Sequence, residues 1–187
     1  MAADVGDVSE RAELARWRWR AQRARRLLAE TFVDHRHQLS GDWCDFEESA
    51  RLTADCRSIG QSAGRVIQLW PARRQFADAM GACDLAGMRR STVFILLMDL
   101  PDAGWIRMSV DAVLADLIPA ASEWMTDGFI MFDPATASLV SVDVEERRGS
   151  PMIETTVIGD GFGRLRECLE RVGPPPLRVT GPGGHPR

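Results

Sequence analysis

Polar and apolar positions alternate most cleanly in the C-terminal third of the chain. Val140, Val142 and Val144 are separated by Ser141, Asp143 and Glu145, a period of two that predicts a strand with one wetted face. An apolar run at 128–133 precedes it. Residues 134–137 leave room only for a tight connection, so the two runs should pair as an antiparallel hairpin. Residues 152–158 supply a third strand, in which Ile153, Thr155 and Val157 oppose Glu154 and Thr156. Gly159-Asp160-Gly161 breaks it, Asp160 is placed to cap the next helix, and Phe162, Leu165, Cys168 or Leu169, and Val172 repeat at helical spacing. The prediction is a three-stranded meander closed by a helix.

Upstream, residues 9–39 read as one long helix with Ser9 as its cap. Leu14, Trp17, Ala21, Ala24, Leu28 and Phe32 form one stripe, and the arginines fall mostly elsewhere. Residues 43–62 fit a short helix and a strand equally, so the pattern assigns neither. Residues 66–70 predict a strand, Pro71 suits a first helical turn, and Phe76, Met80 and Cys83 mark the inner face of a short helix. Residues 91–99 hold the most apolar strand, 100–104 are turn chemistry, and 105–108 return as its partner. Ser109 caps a helix in which Val110, Val113, Leu114, Leu117 and Ile118 keep helical spacing, and Pro119 stops it. Gly173 and three prolines lead into a tail whose Gly181-Pro-Gly-Gly-His-Pro run predicts mobility.

Consecutive strands joined by short turns exclude parallel pairing for most pairs, because a parallel pair needs a crossover. The expected class is α+β, a mainly antiparallel sheet with a long N-terminal helix and flanking helices. Residues 1–8 should be a flexible N-terminus, 9–39 the basic amphipathic helix, 40–172 an α+β domain and 173–187 a mobile tail.

A hydrophobic share of 45% against 27% charged residues is a globular balance and excludes general disorder. The net charge of -4 provides no overall pull toward nucleic acid. Lysine, asparagine and tyrosine are absent, so all positive side chains are arginine, whose planar fork favours bidentate contacts. The longest apolar run, 93–98, is too short to span a bilayer, and the first residues lack a basic leader with an apolar core. Cys44, Cys56, Cys83 and Cys168 are scattered without a CxxC pair, which predicts reduced, mostly buried thiols and a cytoplasmic location, although the count alone leaves an oxidised alternative open.

Two charged sets carry candidate chemistry. Asp143 and Glu145 share a strand face, Glu146 follows, and an adjacent strand can add Glu154; such carboxylates can hold a divalent ion or meet a basic partner. The segment Arg16-Trp-Arg-Trp-Arg-Ala-Gln-Arg-Ala-Arg-Arg26 interleaves basic residues with tryptophan, a combination that grips phosphates and stacks on bases or settles into a membrane interface. A docked helix with solvated arginines explains the same residues. His35 and His37 with Cys44 and Cys56 match no compact zinc spacing, since residues two apart on a helix face different directions. The loop 159–163 sits where a phosphate cradle could form but lacks the dinucleotide spacing, and its acid would repel phosphate.

Four stretches, Leu117-Ile-Pro-Ala-Ala121, Gly128-Phe-Ile-Met-Phe-Asp133, Leu139-Val-Ser-Val-Asp-Val-Glu145 and Ile158-Gly-Asp-Gly-Phe-Gly-Arg-Leu165, follow in an order that resembles the second half of SUKH-superfamily domains. In that family a proline-containing turn, two paired strands and a final helix recur. The N-terminal half departs from the pattern, lacking Leu-Pro before an aromatic-bearing helix and the Asn-Gly-Gly turn, and Gly161 stands where serine is usual. The resemblance implies a noncatalytic α+β module, often an immunity protein that neutralises a bacterial toxin by binding it.

The resulting expectation is a non-enzymatic cytosolic protein-binding module that meets its protein partner through Asp143, Glu145, Glu146 and, second, Glu154. One alternative is a nucleic-acid-associated regulatory protein using Arg16, Arg18, Arg20, Arg23 and Arg26. The other is a metal-dependent hydrolase on Asp143, Glu145 and Glu154. The sequence assigns no cofactor, no metal ligands and no membrane span.

Overall fold

A computed structural model describes residues 5–62, 65–85, 87–88, 91–147 and 150–179, with the backbone alone at 5–10, 61–62, 147 and 178–179. The elements run α1 (Val5–Asp34), β1 (Asp42–Trp43), α2 (Phe46–Ser62), β2 (Arg65–Trp70), α3 (Arg73–Ala82), β3 (Thr92–Leu97), β4 (Trp105–Ser109) and α4 (Val110–Ala112). A π-turn at Val113–Leu117 leads into α5 (Ile118–Glu123). The chain closes with β5 (Gly128–Asp133), β6 (Ser138–Arg147), β7 (Ser150–Ile158), α6 (Gly163–Val172) and β8 (Leu177–Val179). The eight strands form one sheet in the order β1-β4-β3-β5-β6-β7-β2-β8, and every pairing is antiparallel. The class is α+β, and the predicted meander is β5, β6, β7 and α6.

Alternation gives the sheet two dissimilar faces. The inner face carries Val93, Ile95, Leu97, Met131, Val140, Val142, Ile153 and Val157, packed against Phe76 and Met80 of α3, Val113, Leu117 and Ile118 around the π-turn, and Leu165 and Leu169 of α6. The outer face carries Trp105, Phe132, Leu139 and Ile158, covered by Leu52, Cys56 and Ile59 of α2. Asp99, just after β3, holds the entry to β5: its carboxylate accepts from the Thr126, Asp127 and Gly128 backbone N–H groups and from the Thr126 hydroxyl. Gly128 there has φ +96°, and a Cβ would lie 1.9 Å from the Val142 carbonyl oxygen, so only glycine fits.

The stripe predicted for α1 is the stripe that docks. Ala21, Ala24, Leu28 and Phe32 are buried, and Leu14 and Trp17 are half-buried. Arg25 joins them: its Nε donates to the Ala103 carbonyl and its Nη2 to the Cys44 carbonyl, both at 2.9 Å. Its guanidinium lies 4.8 Å from the Trp43 ring centre and 5.6 Å from that of Trp17. Burial pushes the Arg25 pKa down from its ordinary value, against a smaller upward push from Cys44.

Several expectations are corrected. The helix is already formed at Val5, so Ser9 lies inside it and residues 5–8 are helical, and it ends at Asp34; residues 1–4 lie outside the described set. The unassigned 43–62 contain the end of β1 and all of α2, whose first turn is capped by the Asp45 carboxylate accepting from Glu48 N–H at 2.8 Å. Pro119 does not stop its helix. Proline removes an N–H and crowds the carbonyl four residues back, and the wider π-turn immediately before it accommodates both effects, letting α5 continue to Glu123. Asp160 does not cap α6, which has no side-chain cap; its carboxylate lies 3.7 Å from Arg166 Nη1. The expected mobile tail begins later than residue 173. Gln68 Nε2 donates to the carbonyls of Leu169 and Pro174, steering the chain so that β8 pairs with β2; residues 180–187 lie outside the described set. Cys83 and Cys168 are not free thiols but a disulfide, with Cα atoms 5.7 Å apart, that ties the end of α3 to α6. No helix among the described residues is long and apolar enough to cross a membrane.

The disulfide closes a loop across a sequence separation of 85. Reduction should lower the unfolding free energy by about 2–4 kcal/mol in a urea titration, and the Cys83→Ala/Cys168→Ala variant should show that lower value with or without reductant. Equal midpoints in the wild type under both conditions would show that the bridge adds nothing. Arg25→Ala strands two carbonyls that a charged donor satisfied, so it should cost about 2–4 kcal/mol and raise amide exchange across residues 17–32. Unchanged exchange there would mean the stripe alone holds α1.

Candidate functional site

The outer sheet face is only partly covered. Beyond the ground packed by α2, cross-strand registers set Ile67 against Thr156, Leu69 against Glu154, Glu154 against Asp143, Met152 against Glu145 and Thr156 against Ser141. All of these side chains are half-buried. Among the described residues, Ile67, Leu69 and Met152 belong to neither core cluster. They form an apolar strip across β2 and β7, edged by carboxylates.

Of the predicted acidic residues, the structure brings Asp143, Glu145 and Glu154 onto this face. Glu146 shares the alternation of Val144 and so points to the other side, where it is exposed near the hairpin end. Burial pushes the Asp143 carboxyl pKa up, the Ser141 hydroxyl that donates to it at 2.8 Å pulls it back, and the neighbouring charge of Glu145 pushes it further up. Among the described residues no group of three or more His, Cys, Asp or Glu side chains is placed to hold a metal ion. The metal-hydrolase alternative therefore gains no support from the arrangement of Asp143, Glu145 and Glu154.

The remaining candidates for chemistry have structural roles. His35 stacks on Trp124 with ring centres 4.6 Å apart, and His37 Nε2 lies 3.1 Å from Glu123 Oε2, so both tie α1 to the end of α5. Cys44 is buried, and its thiol pKa is pushed up to about 12 by burial and then by Glu48, which leaves it protonated and a poor nucleophile. A groove of about 610 Å³ between α3 and the π-turn has an apolar floor of Ala77, Met80, Leu114 and Ile118.

The second surface is α1. Arg16, Arg18, Arg20, Arg23 and Arg26 are all exposed. Trp17 turns inward onto Phe46, ring centres 5.3 Å apart, whereas Trp19 is 62% exposed with the Arg23 guanidinium 5.7 Å from its ring centre. The two tryptophans were not distinguished by composition. Their spacing separates them, since positions two apart on a helix lie on different faces. Arg25, inside the same basic run, is diverted into the docking contact.

Asp143 provides a test with a defined sign. Its folded-state pKa is raised, so the native state is penalised by ionisation, and stability falls as pH rises from the ordinary carboxylate range through the folded value. Asp143→Asn keeps an acceptor for Ser141 and removes the charge. It should raise the thermal midpoint at pH 7, with the gain vanishing when the pH is taken below the ordinary aspartate range. A gain that persists at acid pH, or a loss at pH 7, would contradict the desolvation account.

No family model, curated protein or solved structure matches this chain, so its function has to be read from the chemistry of these two surfaces.

Proposed function

We propose that this chain is a non-enzymatic protein-binding module that receives a basic protein surface on the uncovered part of its outer sheet face. The observation that carries the reading is the strip of Ile67, Leu69 and Met152, half-exposed, outside both cores, and bordered by Asp143, Glu145 and Glu154. An apolar centre with a polar margin is the general anatomy of a protein interface. Carboxylates at that margin speed association with an opposite charge and fix its orientation more than they add affinity. The carboxylates alone would make a poorer case, because Asp143 is already half-buried and bonded to Ser141.

The SUKH-like order of motifs suggests one form such binding takes: neutralisation of a bacterial toxin by covering its basic, nucleic-acid-directed surface. A cytoplasmic setting belongs to the same proposal. In the reducing cytosol the Cys83–Cys168 pair would be held as thiols, and the bridge would form on oxidation.

A photo-crosslinking residue placed at Leu69 or Met152 should trap a partner in the source cells that the same probe at Thr136, in the β5–β6 turn, does not. With that partner purified, Glu145→Arg/Glu154→Arg should slow association at least tenfold at low salt and flatten its salt dependence. Equal trapping from Thr136, or an unchanged association rate, would remove this face from the proposal.

A further inference from the structure

The docking of α1 leaves a face that the sheet-face reading does not use. With Ala21, Ala24, Leu28 and Phe32 turned inward and Arg25 bonded to the Ala103 and Cys44 carbonyls, the opposite side of the helix is set toward water. Trp19 sits at its centre, and Arg16, Arg20, Arg23 and Arg26 stand three before it and one, four and seven after it, surrounding the ring. No acid occurs between Glu13 and Glu30, although the whole chain carries a net charge of -4. Hollows lie on both sides of the ring, one lined by Gln22, Arg23 and Arg26, the other by Glu13, Ala15, Arg16 and Arg20.

We propose that this outward face of α1 binds single-stranded nucleic acid, its arginines holding phosphates while Trp19 stacks on an unpaired base. Guanidinium forks suit phosphate oxygens, and an exposed indole flanked by cations offers a stacking platform indifferent to base identity. Arg16 to Arg26 spans roughly 15 Å of helix, enough for a few consecutive phosphates. A membrane surface fits less well. A helix lying in an interface needs a segregated apolar face, and the apolar stripe of α1 is spent on docking; outward Leu27 and Val33 are interrupted by Glu30 and Asp34. The acidic character of the rest of the chain would confine a polyanion to this helix.

The test is fluorescence anisotropy of the full chain with a labelled 15-nucleotide oligothymidylate, compared with a duplex of equal length, polyglutamate, and phosphatidylserine-containing vesicles. The expected result is a complex with the oligothymidylate at low salt that quenches tryptophan emission. Its affinity should fall with salt at a log–log slope of about -2 to -3, the value for three or four neutralised phosphates on a single strand. Trp19→Ala should weaken binding about 5- to 100-fold with the circular dichroism spectrum unchanged, while Trp19→Phe retains most of it. Arg16→Ala/Arg20→Ala/Arg23→Ala should flatten the slope. Absence of a complex at low salt would overturn the proposal. So would an unaltered affinity in Trp19→Ala, or duplex, polyglutamate or vesicles bound as tightly as the oligonucleotide. The sheet-face variants should leave this binding intact, so the two readings fail separately.

Discussion

Arg25 reaches inward from the longest helix, lies over two indole rings and donates to one carbonyl of the turn before β4 and one at β1. The chain has no lysine, and only a planar fork can meet two carbonyls in different elements while stacking on aromatic faces. Because each such charged bond contributes on the order of 1.5–3 kcal/mol once desolvated, the contact restricts the roll of α1 about its axis. That roll decides everything displayed on the helix: Trp17 goes to Phe46 and Trp19 goes to water. The basic run is therefore both anchor and display, with one arginine taken inward and its neighbours left outside.

The sheet imposes a second constraint. Eight strands at about 4.8 Å spacing make a surface roughly 34 Å across, while a helix is about 10–12 Å wide. On the inner face α3, the α4–α5 segment with its π-turn, and α6 share the task. On the outer face α2 covers Trp105, Phe132, Leu139 and Ile158 and leaves β2 and the far part of β7 to solvent. The incomplete cover produces the half-exposed strip, while the burial that remains at Asp143 raises its pKa. The two surfaces have opposite charge and face different directions, so a single partner type need not serve both.

The legible parts of the fold were those where local pattern and tertiary burial agree. Val140, Val142 and Val144 alternate because one face is buried, and the meander followed from them; the same period put Asp143 and Glu145 on one face. Segments escaped where the deciding partner lay elsewhere. α2 turns Ser49 inward along with Leu52, so its apolar period is diluted, although Asp45-x-x-Glu48 is a capping signal that could have revealed its start. Pro119 reads as a stop unless the wide turn before it is known. Cys83 and Cys168 are 85 positions apart, and no spacing rule joins them. β8 sits beyond three prolines, and what makes it a strand is the buried Gln68 amide bonding the chain on both sides of α6's end. At the candidate surfaces, charge was visible in the sequence, but which residues remain exposed depends on how far α2 and α1 cover their neighbours.

Iodide quenching of tryptophan fluorescence in the wild type, Trp17→Phe and Trp19→Phe tests the orientation of α1 most directly. Docking through Arg25 and the Ala21, Ala24, Leu28 and Phe32 stripe predicts that Trp19→Phe removes most of the iodide-accessible emission and that Trp17→Phe leaves it nearly unchanged. The reverse pattern, with the accessible emission lost in Trp17→Phe, would mean that α1 presents its other side to solvent.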